Sequence, residues 1–176
     1  MDQPPVEPSA KSYGATRLGL MTYAIAAMIV ALDQLSKFWV LRVLNLPHRP
    51  SIEVLPIFHL SMVWNQGVSF GLFRADAELG RWLIVGFATV VVSVLAVWAW
   101  GLQRRLTAVA VGLVMGGAVG NNLIDRVRFG AVADFLDFTR IGFFPWVFNV
   151  ADSAITVGVA LLLLDGLLRP REEPPQ

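Results

Sequence analysis

The chain has 176 residues, of which 56% are hydrophobic and 15% charged, and its formal net charge is +1. Soluble domains carry about 25% charged residues, so the shortfall indicates a protein in lipid, and the near-neutral charge argues against a nucleic-acid partner. The sequence has no cysteine, which excludes disulfides, thiolate nucleophiles and cysteine metal sites. Its two histidines, His48 and His59, match no metal-binding spacing, so we expect neither a metal nor another cofactor.

Four apolar segments are long enough to cross a bilayer as helices, which takes roughly 20 residues each. We predict them at residues 18–41, 82–102, 106–124 and 149–168. Residues 1–17 and 169–176 are rich in proline and polar groups, which is typical of disordered tails. The sequence therefore predicts an all-α integral membrane protein with a single four-span domain at 18–168 and both termini on the same side.

Two longer connections lie on the side opposite the termini, at residues 42–81 and 125–148. In the first, prolines interrupt any helix, and residues 57–64 mix polar with apolar side chains without clean alternation. Such a stretch is typical of a strand with both faces covered, and it predicts a small β-like cradle between spans 1 and 2. Six lysines and arginines fall on the terminal side and eight on the other, so the positive-inside rule does not by itself orient the protein.

The first span contains two opposite charges, Asp33 and Lys37, one helical turn apart and therefore on one helix face. They form either a local ion pair whose lysine reaches the interface or a charged strut that faces the bundle interior and orients a site. Ser36 beside Lys37 suggests a serine–lysine nucleophile, but adjacent helical residues point about 100° apart. That pair is therefore disfavoured.

Two polar stretches suggest either turns or parts of a cleft. Asn65 and Gly67 fit a turn with a positive φ angle, or an amide that binds a peptide backbone as donor and acceptor. The glycines at 116–120 favour close helix packing in the third span. The polar residues after them form either a helix end with a local ion pair or the support of a polar cleft; they are Asn121, Asn122, Asp125 and Arg126.

Asp134 and Asp152 stand where carboxylates are costly. A carboxylate at a membrane boundary must be paired, solvated or protonated, and two that converge are candidates for acid–base catalysis. Asn149 and Asp152 also fit a simpler role, as the N-cap and first-turn acid of the fourth span. The helix N-terminus would then favour an ionised Asp152 and leave the proton on Asp134. Spacing alone does not choose a pair, because Asp125 and Asp137 compete with these two.

Five motifs, in this order across residues 18–168, resemble the bacterial lipoprotein signal peptidase family, also called signal peptidase II. They are Asp33-x-x-Ser36-Lys37, Asn65-x-Gly67-x-x-Phe70, the Gly-Gly run leading to Asp125-Arg126, Val132-x-Asp134-Phe135 and Phe148-Asn149-x-Ala151-Asp152. One departure concerns the third motif, which in the family reads Gly-Gly-x-x-Gly-Asn-x-x-Asp-Arg and is here one residue longer. Either Asn121 or Asn122 therefore fills the family position, and the spacing to Asp125 favours Asn122.

The resemblance implies an aspartyl endopeptidase of the bacterial inner membrane that cleaves a prolipoprotein just before its diacylglyceryl-modified cysteine. It implies that Asp134 and Asp152 are catalytic, with the cradle and the pair at the extracytoplasmic face and both termini in the cytoplasm. Expected partners are the lipidated prolipoprotein, membrane lipid and peptide antibiotic inhibitors, and the protein is expected to be a monomer. Residues expected to bind substrate or support the site are Asp33, Lys37, Asn65, Gly67, Gly117, Asn121, Asn122, Asp125, Arg126, Asn149 and Ala151.

Three alternatives predict other behaviour. A transporter or proton relay would place ionisable residues at mid-membrane depth in several spans. A structural subunit would tolerate asparagine at both Asp134 and Asp152. A serine–lysine peptidase would use Lys37 with Ser153 or Ser69 as nucleophile.

Overall fold

The computed structural model describes residues 15–67 and 77–168, and four long helical runs dominate it. Arg17–His48, Glu78–Ala99, Arg105–Phe129 and Val150–Leu167 are long and apolar enough to cross a membrane, which confirms the four predicted spans. The predicted tails lie outside the described residues except at 15–17, where Thr16 caps the first helix and Arg17 begins it. Ser69 and Phe70 also lie outside them.

Two of the four helical runs contain a π-helical segment in their C-terminal half. Helix α1 (Arg17–Phe38) continues as a π-helical segment, Trp39–Val43, and α2 covers Ala77–Ala99. Helix α3 (Arg105–Ala118) runs through a second π-helical segment, Val119–Asp125, into the short α4 (Arg126–Phe129), and α5 covers Val150–Leu167. Such wide turns often mark functional sites.

Helix α3 is the centre of the bundle. In the run Arg105–Phe129, which α3 begins, 61% of an apolar 18-residue window is buried, against 11% in the run Glu78–Ala99 of α2. Glycines allow its neighbours to approach: a Cβ at Gly116 would lie 2.7 Å from the Ala26 carbonyl oxygen, and one at Gly158 of α5 would lie 2.8 Å from the Ala110 carbonyl oxygen. The predicted packing role of the third-span glycines is therefore confirmed, since backbone contact replaces side-chain contact there.

A four-stranded antiparallel sheet covers one end of the bundle in the order β1-β2-β3-β4. Its strands are β1 (Ile52–Leu55), β2 (Phe58–Asn65), β3 (Val132–Asp137) and β4 (Val147–Phe148). The sequence predicts strand structure only in the first connection, whereas half of this sheet comes from the second. The reason is that a single hairpin exposes both edges and is marginally stable, and β3 pairs with β2 along one edge.

The sheet is attached to the end of α1 by a small apolar core. Val40, Leu46, Leu60 and Phe135 are buried against one another. Asn45 adopts a left-handed conformation with φ +51°, which turns the chain from the π-helical segment into the short 3₁₀ turn Leu46–His48. The sheet is thereby held over the same ends of the helices that carry Lys37 and Asp152.

Candidate active site

Asp134 lies in β3, is 2% exposed, and is held by two neutral amides. Asn65 Nδ2 donates to its Oδ2 at 3.0 Å, and Asn149 Nδ2 donates to its Oδ1 at 2.6 Å. The strand register explains the first contact: Asp134 stands opposite Val63, so Asn65 is its diagonal neighbour across the sheet. Pairing between the two connections therefore creates the Asp134 pocket.

Burial raises the pKa of Asp134 to about 6. The hydrogen bonds from Asn65 and Asn149 lower the pKa, because they favour the charged form, and the nearby Asp152 charge raises it. Desolvation is the largest of these effects. Asp134 is therefore half protonated near pH 6, and it can hold a proton under mild conditions.

Asp152 lies in the first turn of α5, where Asn149 is the N-cap. The two residues form a capping box: Asp152 N donates to Asn149 Oδ1 at 2.9 Å, and Asn149 N donates to Asp152 Oδ2 at 3.2 Å. The predicted cap is confirmed. Because the other end of the same amide donates to Asp134, Asn149 contacts both aspartates and places them on either side of one side chain.

The two competing aspartates are engaged elsewhere. Asp137 accepts hydrogen bonds from Ser61 Oγ at 2.6 Å and from the Thr139 amide and hydroxyl at 2.9 and 2.7 Å. Partial burial raises its pKa, but these hydrogen bonds outweigh the burial, so the pKa lies below the ordinary value. Asp125 forms an ion pair with Lys37. Neither contacts Asn149 through a hydrogen bond within the described residues.

Lys37 is buried at the end of α1 between two carboxylates. Its Nζ is 2.7 Å from Asp33 Oδ2 and 2.8 Å from Asp125 Oδ2, and it donates to Asn121 Oδ1 at 2.7 Å. Both aspartates are fully buried, and Lys37 is 2% exposed. We call Asp33, Lys37, Asn121 and Asp125 the polar cluster. Its geometry fits a strut facing the bundle interior rather than an ion pair at the interface.

Backbone amides complete the coordination of the polar cluster. Ala151 N donates to Asp33 Oδ1 at 3.1 Å, and Ala133 N donates to Asp125 Oδ2 at 3.2 Å. These two donors immediately precede Asp152 and Asp134 in the chain. The buried carboxylates thus fix the backbone on which both aspartates of the candidate pair are mounted.

Asn121 connects the polar cluster to Asp152. Its Oδ1 accepts from Lys37, and its Nδ2 donates to Asp152 Oδ1 at 2.7 Å. Asn122 instead accepts from Arg126 Nε at 3.2 Å. Both asparagines lie in the π-helical segment Val119–Asp125, where each turn holds one residue more than an α-helical turn. This wide turn accommodates the additional residue of the third motif.

Gly67 and Arg126 fit together at the rim of the site. Arg126 Nη1 donates to the Gln66 carbonyl at 3.1 Å, and Asn65 Oδ1 accepts from Gly67 N at 2.8 Å. Gly67 has φ +75°, and a Cβ there would lie 2.5 Å from Arg126 Nη2. The predicted positive-φ turn is confirmed, and the guanidinium occupies the space that a side chain at this position would need.

The remaining predicted support residues bring α3 and α5 into contact. A Cβ at Gly117 would lie 2.5 Å from the Ala151 carbonyl oxygen, and one at Gly120 would lie 2.7 Å from Asp33 Oδ2. Ala151 is fully buried. These small residues allow the start of α5, with Asp152, to lie directly against the polar cluster.

Gln34 is a site residue that the motifs do not single out. Its Nε2 donates to Asp33 Oδ2 at 3.1 Å and to Asp125 Oδ1 at 2.9 Å. The sequence feature that could have identified Gln34 is an amide side chain between two charged residues, Asp33 and Lys37, in an apolar span. Across residues 15–67 and 77–168, no group of three or more histidine, aspartate or glutamate side chains is placed to hold a metal ion.

The fold is that of a multi-pass helical membrane enzyme. Two solved bacterial membrane enzymes, at 2.3 and 1.9 Å resolution, align with TM-scores of 0.70 and 0.73, each at 26% identity. The alignments cover 92% and 90% of this chain and 98% and 99% of those structures.

The chain belongs to the signal peptidase II family, whose model matches residues 25–168. The lipoprotein signal peptidase of Caulobacter vibrioides is 55% identical over 157 residues, which cover 89% of this chain and 92% of that protein. That of Beijerinckia indica is 44% identical over 141 residues, covering 80% and 83%. The family resemblance drawn from the five motifs is therefore confirmed, and the protein is a protease.

Proposed function

We propose that this protein is a membrane aspartyl endopeptidase that removes the signal peptide from diacylglyceryl-modified prolipoproteins, with Asp134 and Asp152 as its catalytic pair. The observation that carries this proposal is the position of Asn149, which donates one hydrogen bond to each carboxyl group. One residue at a helix start therefore sets the relation between two carboxylates from different elements, through its backbone N–H to Asp152 and its side-chain amide to Asp134. Related chains named lipoprotein signal peptidase support the substrate class.

Asp134 is the member that holds the proton. It is almost completely buried, and its pKa of about 6 is far above that of a solvated aspartate. Asp152 is partly exposed at the N-terminus of α5, where the helix dipole favours a negative charge. It also accepts from the Asn149 amide and from Asn121 Nδ2. The pair titrates as a unit and shares one proton at mildly acidic to neutral pH.

In the proposed reaction, ionised Asp152 takes a proton from a water bound between the two carboxyl groups, and the water oxygen attacks the scissile carbonyl carbon. Asp134 donates its proton to the carbonyl oxygen, which gives a neutral tetrahedral diol. The diol then collapses: the C–N bond breaks, Asp152 transfers its proton to the leaving amine, and the hydroxyl proton returns to Asp134. Both carboxyl groups end in their starting states.

The site lies at one end of the helices, which suits a substrate anchored in lipid. The sheet covers this end, while Thr16 binds the Trp100 and Leu102 carbonyls at the opposite end, beside the termini. We assign the sheet and the catalytic pair to the extracytoplasmic face of the inner membrane, and the termini to the cytoplasm. The diacylglyceryl chains then stay in the bilayer, while the peptide bond enters beneath the sheet of a monomeric enzyme. A lipopeptide-like inhibitor would occupy the same position.

The serine–lysine alternative has no geometric support in the part of the chain that the structure describes. The Lys37 amine is bound to two carboxylates and an amide. The Ser153 hydroxyl donates to the Asn149 carbonyl at 2.9 Å, so it is occupied in the cap of α5. Neither group is available to the other as a base or nucleophile.

The test is cleavage of a diacylglyceryl-modified prolipoprotein by the purified full-length protein. Asp134→Asn and Asp152→Asn should each lower the rate by about 10⁴-fold or more, as loss of a member of a catalytic unit does. Asp137→Asn is the matched control, since this carboxylate lies in the same strand but is held by Ser61 and Thr139. Wild-type cleavage should also persist with a metal chelator.

Two outcomes would refute the assignment. Cleavage retained by either Asp134→Asn or Asp152→Asn would exclude the pair. Loss of cleavage in Ser153→Ala, with both aspartate variants active, would instead support the serine–lysine mechanism. Circular dichroism and a thermal unfolding midpoint for each variant separate lost chemistry from lost structure.

A further inference from the structure

A second, basic site lies where the end of α1 meets α4. A small groove there is lined by Gln34 and the buried Lys37. Arg42 and Arg128 also line it and are exposed. The groove shares no residue with the catalytic pair.

Among the described residues, no carboxylate forms an ion pair with either arginine. Within residues 15–67 and 77–168, the ion pairs of arginine involve Arg81 and Arg104. The Arg128 guanidinium instead lies 4.9 Å from the centre of the Phe129 ring. Two guanidinium groups that line one groove without a counter-charge are a geometry suited to a phosphate.

The surroundings of the groove are apolar and face outward. Leu35, Phe38 and Val43 on α1 and its π-helical extension are 65%, 57% and 62% exposed. Val127 on α4 is 55% exposed. In a membrane protein, such surface is covered by acyl chains. The arginines lie near the ends of the runs Arg17–His48 and Arg105–Phe129, and the ends of membrane-spanning helices are where lipid headgroups are met.

We propose that this groove binds an anionic phospholipid, with its phosphate between Arg42 and Arg128 and its acyl chains along the exposed apolar face of α1. Adjacent apolar surface favours a lipid over free phosphate, because a soluble anion gains nothing from it. The proposal also explains part of the arginine excess on the face opposite the termini. Guanidinium groups bind the phosphate of such a headgroup through charge-assisted hydrogen bonds. It goes beyond the peptidase function and does not depend on it.

The test measures lipid binding to the purified full-length protein by native mass spectrometry, with phosphatidylglycerol, phosphatidylcholine and inorganic phosphate as separate probes. Wild type should retain one phosphatidylglycerol more tightly than phosphatidylcholine. The double variant Arg42→Gln/Arg128→Gln should bind that lipid about 30-fold more weakly, since each arginine at an anionic surface contributes about fivefold. Phosphatidylglycerol should also raise the thermal unfolding midpoint of wild type more than that of the double variant.

Arg140→Gln is the matched control, because Arg140 is exposed on the same face but lies outside the groove. This variant should keep wild-type lipid binding, and Arg42→Lys/Arg128→Lys should keep most of it. Equal binding by wild type and the double glutamine variant would overturn the proposal. So would an equal loss in Arg140→Gln, equal affinity for the two lipids, or displacement of the lipid by millimolar inorganic phosphate.

Discussion

The two ends of the helix bundle differ in the partners that stabilise their buried carboxylates. At the end near the termini, Asp165 is 1% exposed; it lies 2.9 Å from Arg104 Nη2 and accepts from the Thr107 hydroxyl at 2.9 Å. At the other end, Asp33 and Asp125 are paired with Lys37. Asp134 and Asp152 form no ion pair within the described residues, and their hydrogen-bond donors are asparagine amides and a backbone N–H.

The difference separates carboxylates paired with a cation from carboxylates held by neutral donors. A cation at contact distance balances the charge of a buried carboxylate and fixes its position. A neutral amide orients the carboxyl group without contributing a full positive charge. Burial, the largest effect, can therefore raise the pKa of Asp134 to about 6. The same helix ends thus hold an ion-paired cluster and, beside it, the proposed catalytic pair.

The largest effect should come from removing the cation of the polar cluster. Lys37→Met leaves Asp33 and Asp125 buried without a counter-charge, which should cost about 3–5 kcal/mol of folding free energy and lower the thermal unfolding midpoint by about 10 °C. Arg104→Gln is the comparison at the other end. Arg104 is 44% exposed, so water can replace it, and about 1 kcal/mol should be lost. Equal losses of folding free energy in Lys37→Met and Arg104→Gln would show that the ion pairs at the two ends contribute equally to stability.

Asn149→Ala should lower cleavage about 100-fold, because it removes the donor to Asp134 and the cap that fixes Asp152. Loss of the cap alone should cost about 1 kcal/mol of stability. The loss of activity is measured by initial cleavage rates, and the loss of stability by thermal unfolding of the same preparation. A fall in stability without a larger fall in activity would mean that Asn149 acts only as a helix cap.

The neighbouring asparagines of the π-helical segment form a natural matched pair. Asn121→Ala removes the side chain that bridges Lys37 and Asp152, so cleavage should fall by about 10-fold or more. Asn122→Ala removes only an acceptor for Arg126, and the rate should stay within a few fold of wild type. A larger loss of cleavage in Asn122→Ala than in Asn121→Ala would contradict this prediction. It would show that Asn122, which the motif spacing favours, positions the pair.

The smallest effect is a displacement of the pH profile. In the proposed mechanism Asp134 is the acid, so cleavage should fall as the pH rises through its pKa of about 6. Asn65 donates to the charged form and lowers that pKa, so Asn65→Ala should raise it and move the descending limb to higher pH, by about one unit. Ser61→Ala, which removes a donor to Asp137, should leave the limb in place. A shift to lower pH in Asn65→Ala would contradict the assignment of Asp134 as the acid.

Local features of the sequence predicted much of the architecture. Hydropathy located the four spans, helical spacing put Asp33 and Lys37 on one face, and the Asn149–Asp152 pattern predicted the cap of α5. Each of these depends on residues within about one span of one another, where helix geometry alone fixes the relation. The same locality explains why the first connection, rich in strand-forming residues, predicted part of the sheet.

By itself, the sequence determined a four-span membrane chain with most of its acidic residues at one boundary, and the motif order determined the family. It left four aspartates as candidates for the two catalytic positions. It also left two asparagines as candidates for the one family position in the third motif. Tertiary structure decided which side chains meet: Asn65 reaches Asp134 across 69 residues, and Lys37 reaches Asn121 across 84. The physical reason is that hydropathy and capping are local, whereas strand pairing and the wide π-helical turn place donors only once distant segments have packed.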